Sequence, residues 1–332
     1  MKELFGTLES GEKIYKYVIS DRDSVAELID YGAVMLSLKL KGHEIVLGFD
    51  TLEPYIKNPG NIGITVGRVA NRIKDGLLPI DNVVYELTRN QHGNCLHGGS
   101  GFGHKVWTVT SHEEDRITFR YVSPDGEDGF PSRLESYVTF ILEDGALMID
   151  YKAIPDGKTP ICLTNHAYFN LNGIGGDVKG HVLKVWADKY TEVDASLIPT
   201  GEQPSVEGTR FDLREGKLIG DGLEEGNYDH NLILSPTVFE EFLGKRLGLA
   251  CELSTEGLLL SVYTDQPGLQ IYTGNGMGKG PALRGGIPEV KYGAVCLETQ
   301  TEPNSATRGE AIYGKGETYT HTAVYKLEER SI

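Results

Sequence analysis

Short runs of alternating apolar and polar residues, separated by turn-forming pairs, dominate this chain. Ile117, Phe119 and Tyr121 alternate with Thr118 and Arg120, and Tyr319, His321, Ala323, Tyr325 and Leu327 share one face of a later run. A period of two marks a strand with one buried face. Ser136 to Leu142 and Ala146 to Ile154 are β-branched and aromatic runs joined through Glu143-Asp144-Gly145. An Asp-Gly step between such runs predicts a hairpin, because both residues tolerate positive φ. A second hairpin is expected from Cys251 to Thr264 across Glu256-Gly257. Helical periodicity is scarce; Ser24 to Asp30 and Phe239 to Lys245 are read as one short helix each. With no Gly/Ser-rich or Pro-rich linker and no fixed repeat, the expectation is one domain over residues 1–332. Its class is all-β, a large antiparallel sandwich or barrel.

Composition narrows the partners. The 332 residues carry 48 acidic and 32 basic side chains, a formal net charge of −16. So acidic a surface repels phosphate backbones and anionic headgroups, which argues against nucleic acid and membrane. Cys95, Cys162, Cys251 and Cys296 are far apart and form no CxxC, so reduced thiols are expected. The segment from Met1 to Gly11 is polar, and no later run approaches a membrane span. The cytoplasm is the expected location.

Four stretches carry candidate chemistry. In Gly67-Arg68-Val69-Ala70-Asn71-Arg72-Ile73, Asn71 and Arg72 either donate to a polar ligand or end a strand with both arginines in solvent. His92, Cys95 and His97 allow a zinc reading, but no second Cys/His pair accompanies them; the Gly pair after His97 otherwise suggests a tight loop exposing its imidazole. In Leu163 to Leu171, a strand puts His166, Tyr168 and Asn170 on one face, which suits a sugar, unless His166 is a satisfied core residue. Glu298 lies inside the apolar run Val295 to Gln300, where a carboxylate is costly unless functional, or unless the strand is an edge with Glu298 facing water. No nucleophile elbow, P-loop or HExxH occurs. A His and a Glu without a nucleophile point to proton transfer.

Together the pieces GRVANRI, LHGG, SPDGEDGFP, LTNHAYFNL, YDHN, DQPGLQIYTGN and VCLETQTEPN resemble the aldose 1-epimerase family. They stand in the family's order, and FGTLESGEKI and GETYTHTAVYKL extend the likeness over nearly the whole chain. The resemblance implies a large β-sandwich with the sugar in an open cleft on one sheet, and no metal or organic cofactor. It implies His166 as general acid, Glu298 as general base and His97 as a second histidine at the sugar. Asn71, Arg72, Asp229 and Gln270 match its substrate-binding positions. The implied partner is a free hexose such as galactose or glucose, taken by a monomer or weak homodimer. The loop Thr301-Glu302-Pro303-Asn304 and Ser132 depart from the family pattern, at positions that bear on substrate preference. Three rival functions remain: a sugar-binding module, which could dispense with Glu298; a hexose-6-phosphate epimerase, which needs cations for phosphate; and a polysaccharide-active enzyme, which needs paired carboxylates.

Overall fold

A computed structural model describes residues 2–330 of the chain. Two packed layers of antiparallel strands account for most of it. The larger sheet has ten strands and is centred on Leu134–Glu143, Ala146–Pro155, Tyr319–Glu329, Leu258–Thr264 and Lys245–Ser254. Opposite it lies a five-stranded sheet in the order Tyr168–Phe169, Val295–Gln300, Gly268–Tyr272, Asp229–Leu234 and Ala187–Tyr190. A second five-stranded sheet, from Lys2–Thr7 to His43–Glu44, contributes Ile19, Leu28 and Leu38 to the same core.

Alternation within the smaller sheet sorts its residues by layer. Val295, Leu297, Leu269, Ile271 and Leu232 point into the core shared with Phe119, Phe140, Ile149 and Tyr325. Each such side chain contributes about 1.5–3 kcal/mol by leaving water. The stacked Phe169 and Tyr325 rings, 4.9 Å apart, join the two layers. The intervening residues Gln270, Tyr272, Cys296 and Glu298 therefore point away from the core, and the sheet becomes the floor of a cleft.

Both predicted hairpins form. Glu143 pairs with Ala146 across Asp144 and Gly145, at φ 50° and 78°, as a two-residue turn with left-handed residues requires. Ser254 pairs with Leu259 in the other. Both predicted helices are strands instead. Ser24–Ile29 buries alternate residues between two neighbouring strands. Phe239–Phe242 folds back on Lys245–Ser254 through Leu243 and Gly244, at φ 46° and 79°. In both cases pairing with a neighbour decided what so short a run could not. Among the described residues the α-helices are Glu53–Lys57 and Ile219–Glu225.

Candidate active site

Register brings three distant segments together. Gln270 pairs with Glu298, and Asn231 with Gln270, in one rung of the smaller sheet. In the next rung Asp229 pairs with Tyr272, Tyr272 with Cys296, and Cys296 with Tyr168. Paired residues and those two along share a face, so Glu298, Asp229, Tyr272 and Tyr168 border the cleft, with Gln270 on the same face behind Asp229. His166 precedes this rung and is held by the segment before it, through Gly63 N–H to its carbonyl and its own N–H to Ile64 O, both at 3.0 Å.

The opposite wall comes from two short paired segments, in which Arg72 faces Leu96. His97 follows, with φ 51°, and Asn71 has φ 64°. The Asn71 backbone N–H donates to His97 Nδ1 at 3.2 Å. That nitrogen is therefore unprotonated, and neutral His97 carries its proton on Nε2. The rings of His97 and His166 meet edge to face at 5.3 Å. Arg72 donates from Nε to Gln91 at 2.7 Å and from Nη2 to Asp229 at 3.5 Å, while Gln270 donates to the other Asp229 oxygen at 2.7 Å. Asn71 Oδ1 accepts from the Arg72 backbone at 2.8 Å and braces its guanidinium at 3.3 Å.

These residues enclose a cavity of about 170 Å³ bounded by Arg72, His97, His166, Asp229 and Glu298. At its floor, His166 Nε2 lies 3.7 Å from Glu298 Oε1. Glu298 Oε2 and Gln270 Oε1 are buried and accept no hydrogen bond. Such acceptors are expensive unless a ligand supplies donors. Burial raises the Glu298 carboxyl well above its usual range, with the Asp229 charge adding to the effect and Arg72 opposing it. Burial lowers the His166 imidazole to about 4 and pushes His97 well below its ordinary value. Burial also raises Asp229, against the pull of Arg72.

Six of the seven sequence-derived candidates, Glu298, His166, His97, Asn71, Arg72 and Asp229, line the cavity. Gln270 stands behind Asp229 as its hydrogen-bond donor. Glu298 is 2% exposed on an interior strand, which removes the alternative of an edge residue in water. Arg68 and Arg72 are not in solvent either: Arg68 is 2% exposed and donates to Ser123, Thr159 and the carbonyls of Pro124, Pro131 and Ser132. Asn170 departs from the face assigned to it. Pairing breaks between Asn165 and Tyr168, and the Asn170 amide donates to Gly176 and Gly293 carbonyls. The His92/Cys95/His97 set does not assemble: His92 is exposed, and Cys95 packs in an apolar cluster with its thiol raised to about 12 by burial. The ligand atoms of His97, His166 and Glu298 do lie within 4.8 Å of one another. Gln91 and Tyr272 were not singled out in the sequence; no local signal marks Gln91, whereas alternation from Gln270 would have put Tyr272 on the same face.

Residues 15–326 match the family described as aldose 1-epimerase. The chain is 37% identical to galactose mutarotase of Mus musculus over 340 aligned positions, covering 98% of each. It is 33% identical to aldose 1-epimerase of Escherichia coli K12, over 91% of this chain and 92% of that one. Among solved structures, galactose 1-epimerase from Lactobacillus acidophilus superposes with a TM-score of 0.87 at 27% identity, covering 100% of this chain and 99% of the other.

Proposed function

Because the chain belongs to the aldose 1-epimerase family, we propose that it interconverts the α and β anomers of a free hexose such as galactose or glucose, with Glu298 and His166 as the proton-transfer pair. Mutarotation opens the pyranose ring and recloses it on the other face of C1. The C1 hydroxyl gives up a proton and the ring oxygen gains one. Glu298 takes the first and His166 supplies the second, and His97 Nε2–H steadies charge at the ring oxygen. The observation that carries this reading is the buried pair at 3.7 Å, with Glu298 Oε2 unsatisfied in a polar cavity.

Burial disfavours each group's charged form, raising the Glu298 carboxyl and lowering the His166 imidazole. The form with carboxylate and imidazolium differs from the neutral form by one transfer between adjacent atoms, and at this separation the opposite charges offset part of the desolvation cost. Asp229, fixed by Arg72 and Gln270, accepts from sugar hydroxyls away from C1, with Asn71 bracing Arg72. The aldehyde can then rotate about C1–C2 while the remainder is held. The site offers phosphate one side-chain cation, Arg72, which is already committed to Asp229 and Gln91. Four buried free cysteines support a reducing compartment, and we place the reaction in cytoplasmic hexose metabolism.

Polarimetry of freshly dissolved α-galactose and α-glucose tests the proposal. Relaxation no faster than the buffer rate would overturn it. Activity abolished by chelator and restored by zinc would move the same three side chains to a metal-centred mechanism.

A further inference from the structure

His97 reaches the cleft from a tight turn. Gly99 N–H donates to Leu96 O at 3.1 Å, and the two residues between them, His97 and Gly98, have φ 51° and 79°. Glycine takes such a conformation freely, whereas a residue with a side chain seldom does unless its surroundings hold it there. Asn90 grips both ends of this turn. Its Oδ1 accepts from Leu96 N–H at 2.7 Å, and its Nδ2 donates to Leu96 O and to Gly99 O, each at 2.9 Å. These partners fix the orientation of the amide, since a flipped one would set its oxygen against two carbonyls. The Asn90 side chain is exposed on the outer side of the turn, while His97 lines the cavity on the inner side. The next residue serves the other group of this wall: Gln91 Oε1 accepts from Arg72 Nε at 2.7 Å. Two successive residues thus brace two different functional side chains, one through the backbone and one directly.

On the footing of the mutarotase reading, we propose that Asn90 is a positioning residue: by clamping the Leu96–Gly99 turn it holds His97 in its left-handed conformation, with Nε2–H at the sugar's ring oxygen. Asn90 touches no reacting atom. Without its amide, the Leu96 and Gly99 backbone groups take water instead, and the turn can relax to negative φ at residue 97. The imidazole then leaves the cavity and the Asn71 N–H that its Nδ1 accepts. His97 steadies charge that develops as the ring opens, so its displacement is felt in kcat more than in KM. Gln91 supplies the contrast. It orients Arg72, which orients Asp229 for the grip on the sugar, so its loss falls mainly on KM.

The test compares wild type, Asn90→Ala, Asn90→Asp and Gln91→Leu by polarimetric kinetics on α-galactose and α-glucose, and by the imidazole nitrogen shifts in NMR at pH 7. Asn90 is exposed, so its truncation opens no core cavity and the variants should fold. Aspartate matches asparagine in size but lacks the donors and sets a carboxylate against Leu96 O and Gly99 O. Both Asn90 variants are expected to lose about tenfold or more in kcat with KM changed less than about threefold, and Gln91→Leu to show the reverse split. In wild type the His97 shifts should report a protonated Nε2 and an accepting Nδ1; in both Asn90 variants they should move towards the average of two tautomers. Four results overturn the proposal: kcat within about twofold of wild type in both Asn90 variants; Asn90→Asp as fast as wild type while Asn90→Ala is slow, which would make size and not donation the requirement; the same kcat and KM losses from Asn90→Ala and Gln91→Leu; or His97 shifts unchanged in both Asn90 variants. A wild type that turns over neither sugar fails the mutarotase reading instead, and the His97 shifts then decide by themselves whether Asn90 holds the imidazole.

Discussion

His166 and His321 are both buried, both lowered to about 4 by burial, and close to the same strand, yet they stand in opposite situations. His321 is on the core side. Its Nδ1–H donates to Leu163 O at 3.0 Å, its Nε2 accepts from Thr299 Oγ1 at 2.9 Å, and its ring stacks on Tyr151 at 4.7 Å. Both nitrogens are satisfied, so one tautomer is fixed. His166 is on the cleft side. Its Nδ1 meets Cys296 Sγ at 3.5 Å, a weak partner, and its Nε2 meets Glu298 at 3.7 Å across an open cavity. Thr299 serves the locked histidine, and its neighbour Glu298 serves the open one. Strand alternation alone separates them. A depressed pKa therefore does not by itself single out a histidine; unfinished hydrogen bonding beside a carboxylate is what distinguishes His166 from His321.

The largest effect that sharpens this contrast is expected on the cleft side. Glu298→Gln keeps the shape but cannot take up a proton as a carboxylate does. Turnover should fall about 10²–10⁴-fold while calorimetry still detects sugar binding. A folded variant with near wild-type rates would remove Glu298 from its role. His166→Asn should lose a comparable factor, and the double variant should lose no more than about tenfold beyond either single one, because both act on one coupled step. Full multiplicativity in polarimetric rates would indicate two independent steps.

Asp229→Ala comes next. It removes the acceptor that Arg72 and Gln270 orient, and should weaken binding as well as rate, raising KM about tenfold or more. An unchanged KM with depressed kcat would place Asp229 at the reacting centre instead of at the grip. Smaller still is the pH response. A second proton on the pair leaves no base, so kcat/KM should fall on the acid side with a midpoint below 6.5, towards the value of about 4 that burial gives His166. A midpoint at 6.5 would mean that the active-site imidazole titrates as if solvated.

How much of this was legible in the sequence follows the same division. Alternation gave the strands of the larger sheet and the Asp144-Gly145 hairpin, because local period and local turn chemistry agree there. Ser24–Ile29 and Phe239–Phe242 were misread because runs this short carry no decisive period; their neighbours settle them. The GRVANRI, LTNHAYFNL and LETQ segments pointed to the cleft residues, but residue type alone left Glu298 open to an edge position. Only pairing on both sides of its strand decides that. Arg68 and Arg72 look alike in sequence. One closes on carbonyls and hydroxyls and the other on a carboxylate, and no spacing rule separates them. The place of Gln91 beside Arg72 depends wholly on tertiary approach.

The smallest predicted effect concerns His321 and stability. His321→Asn removes a satisfied core imidazole and leaves Thr299 and Leu163 short of partners, at a cost of about 1–3 kcal/mol at pH 7, with kcat changed less than tenfold. That cost should itself depend on pH. The wild-type imidazole titrates near 6.5 when unfolded and about 4 when folded. Between those values the unfolded chain binds more protons, so its contribution to stability is intact above 6.5 and is lost as pH falls towards 4. At one and a half units below 6.5 the loss is about 2 kcal/mol, from about 1.4 kcal/mol per unit. Asparagine does not titrate, so the stability gap between wild type and variant should shrink by about that much from pH 7 to pH 5. Raised carboxylates such as Glu298 and Asp229 act in the opposite direction but are common to both proteins and cancel in the difference. Urea unfolding of the two proteins at both pH values measures it. A gap that is equal at pH 7 and pH 5 would mean that His321 binds a proton as readily in the core as in the unfolded chain, and that its two hydrogen bonds do not lock it.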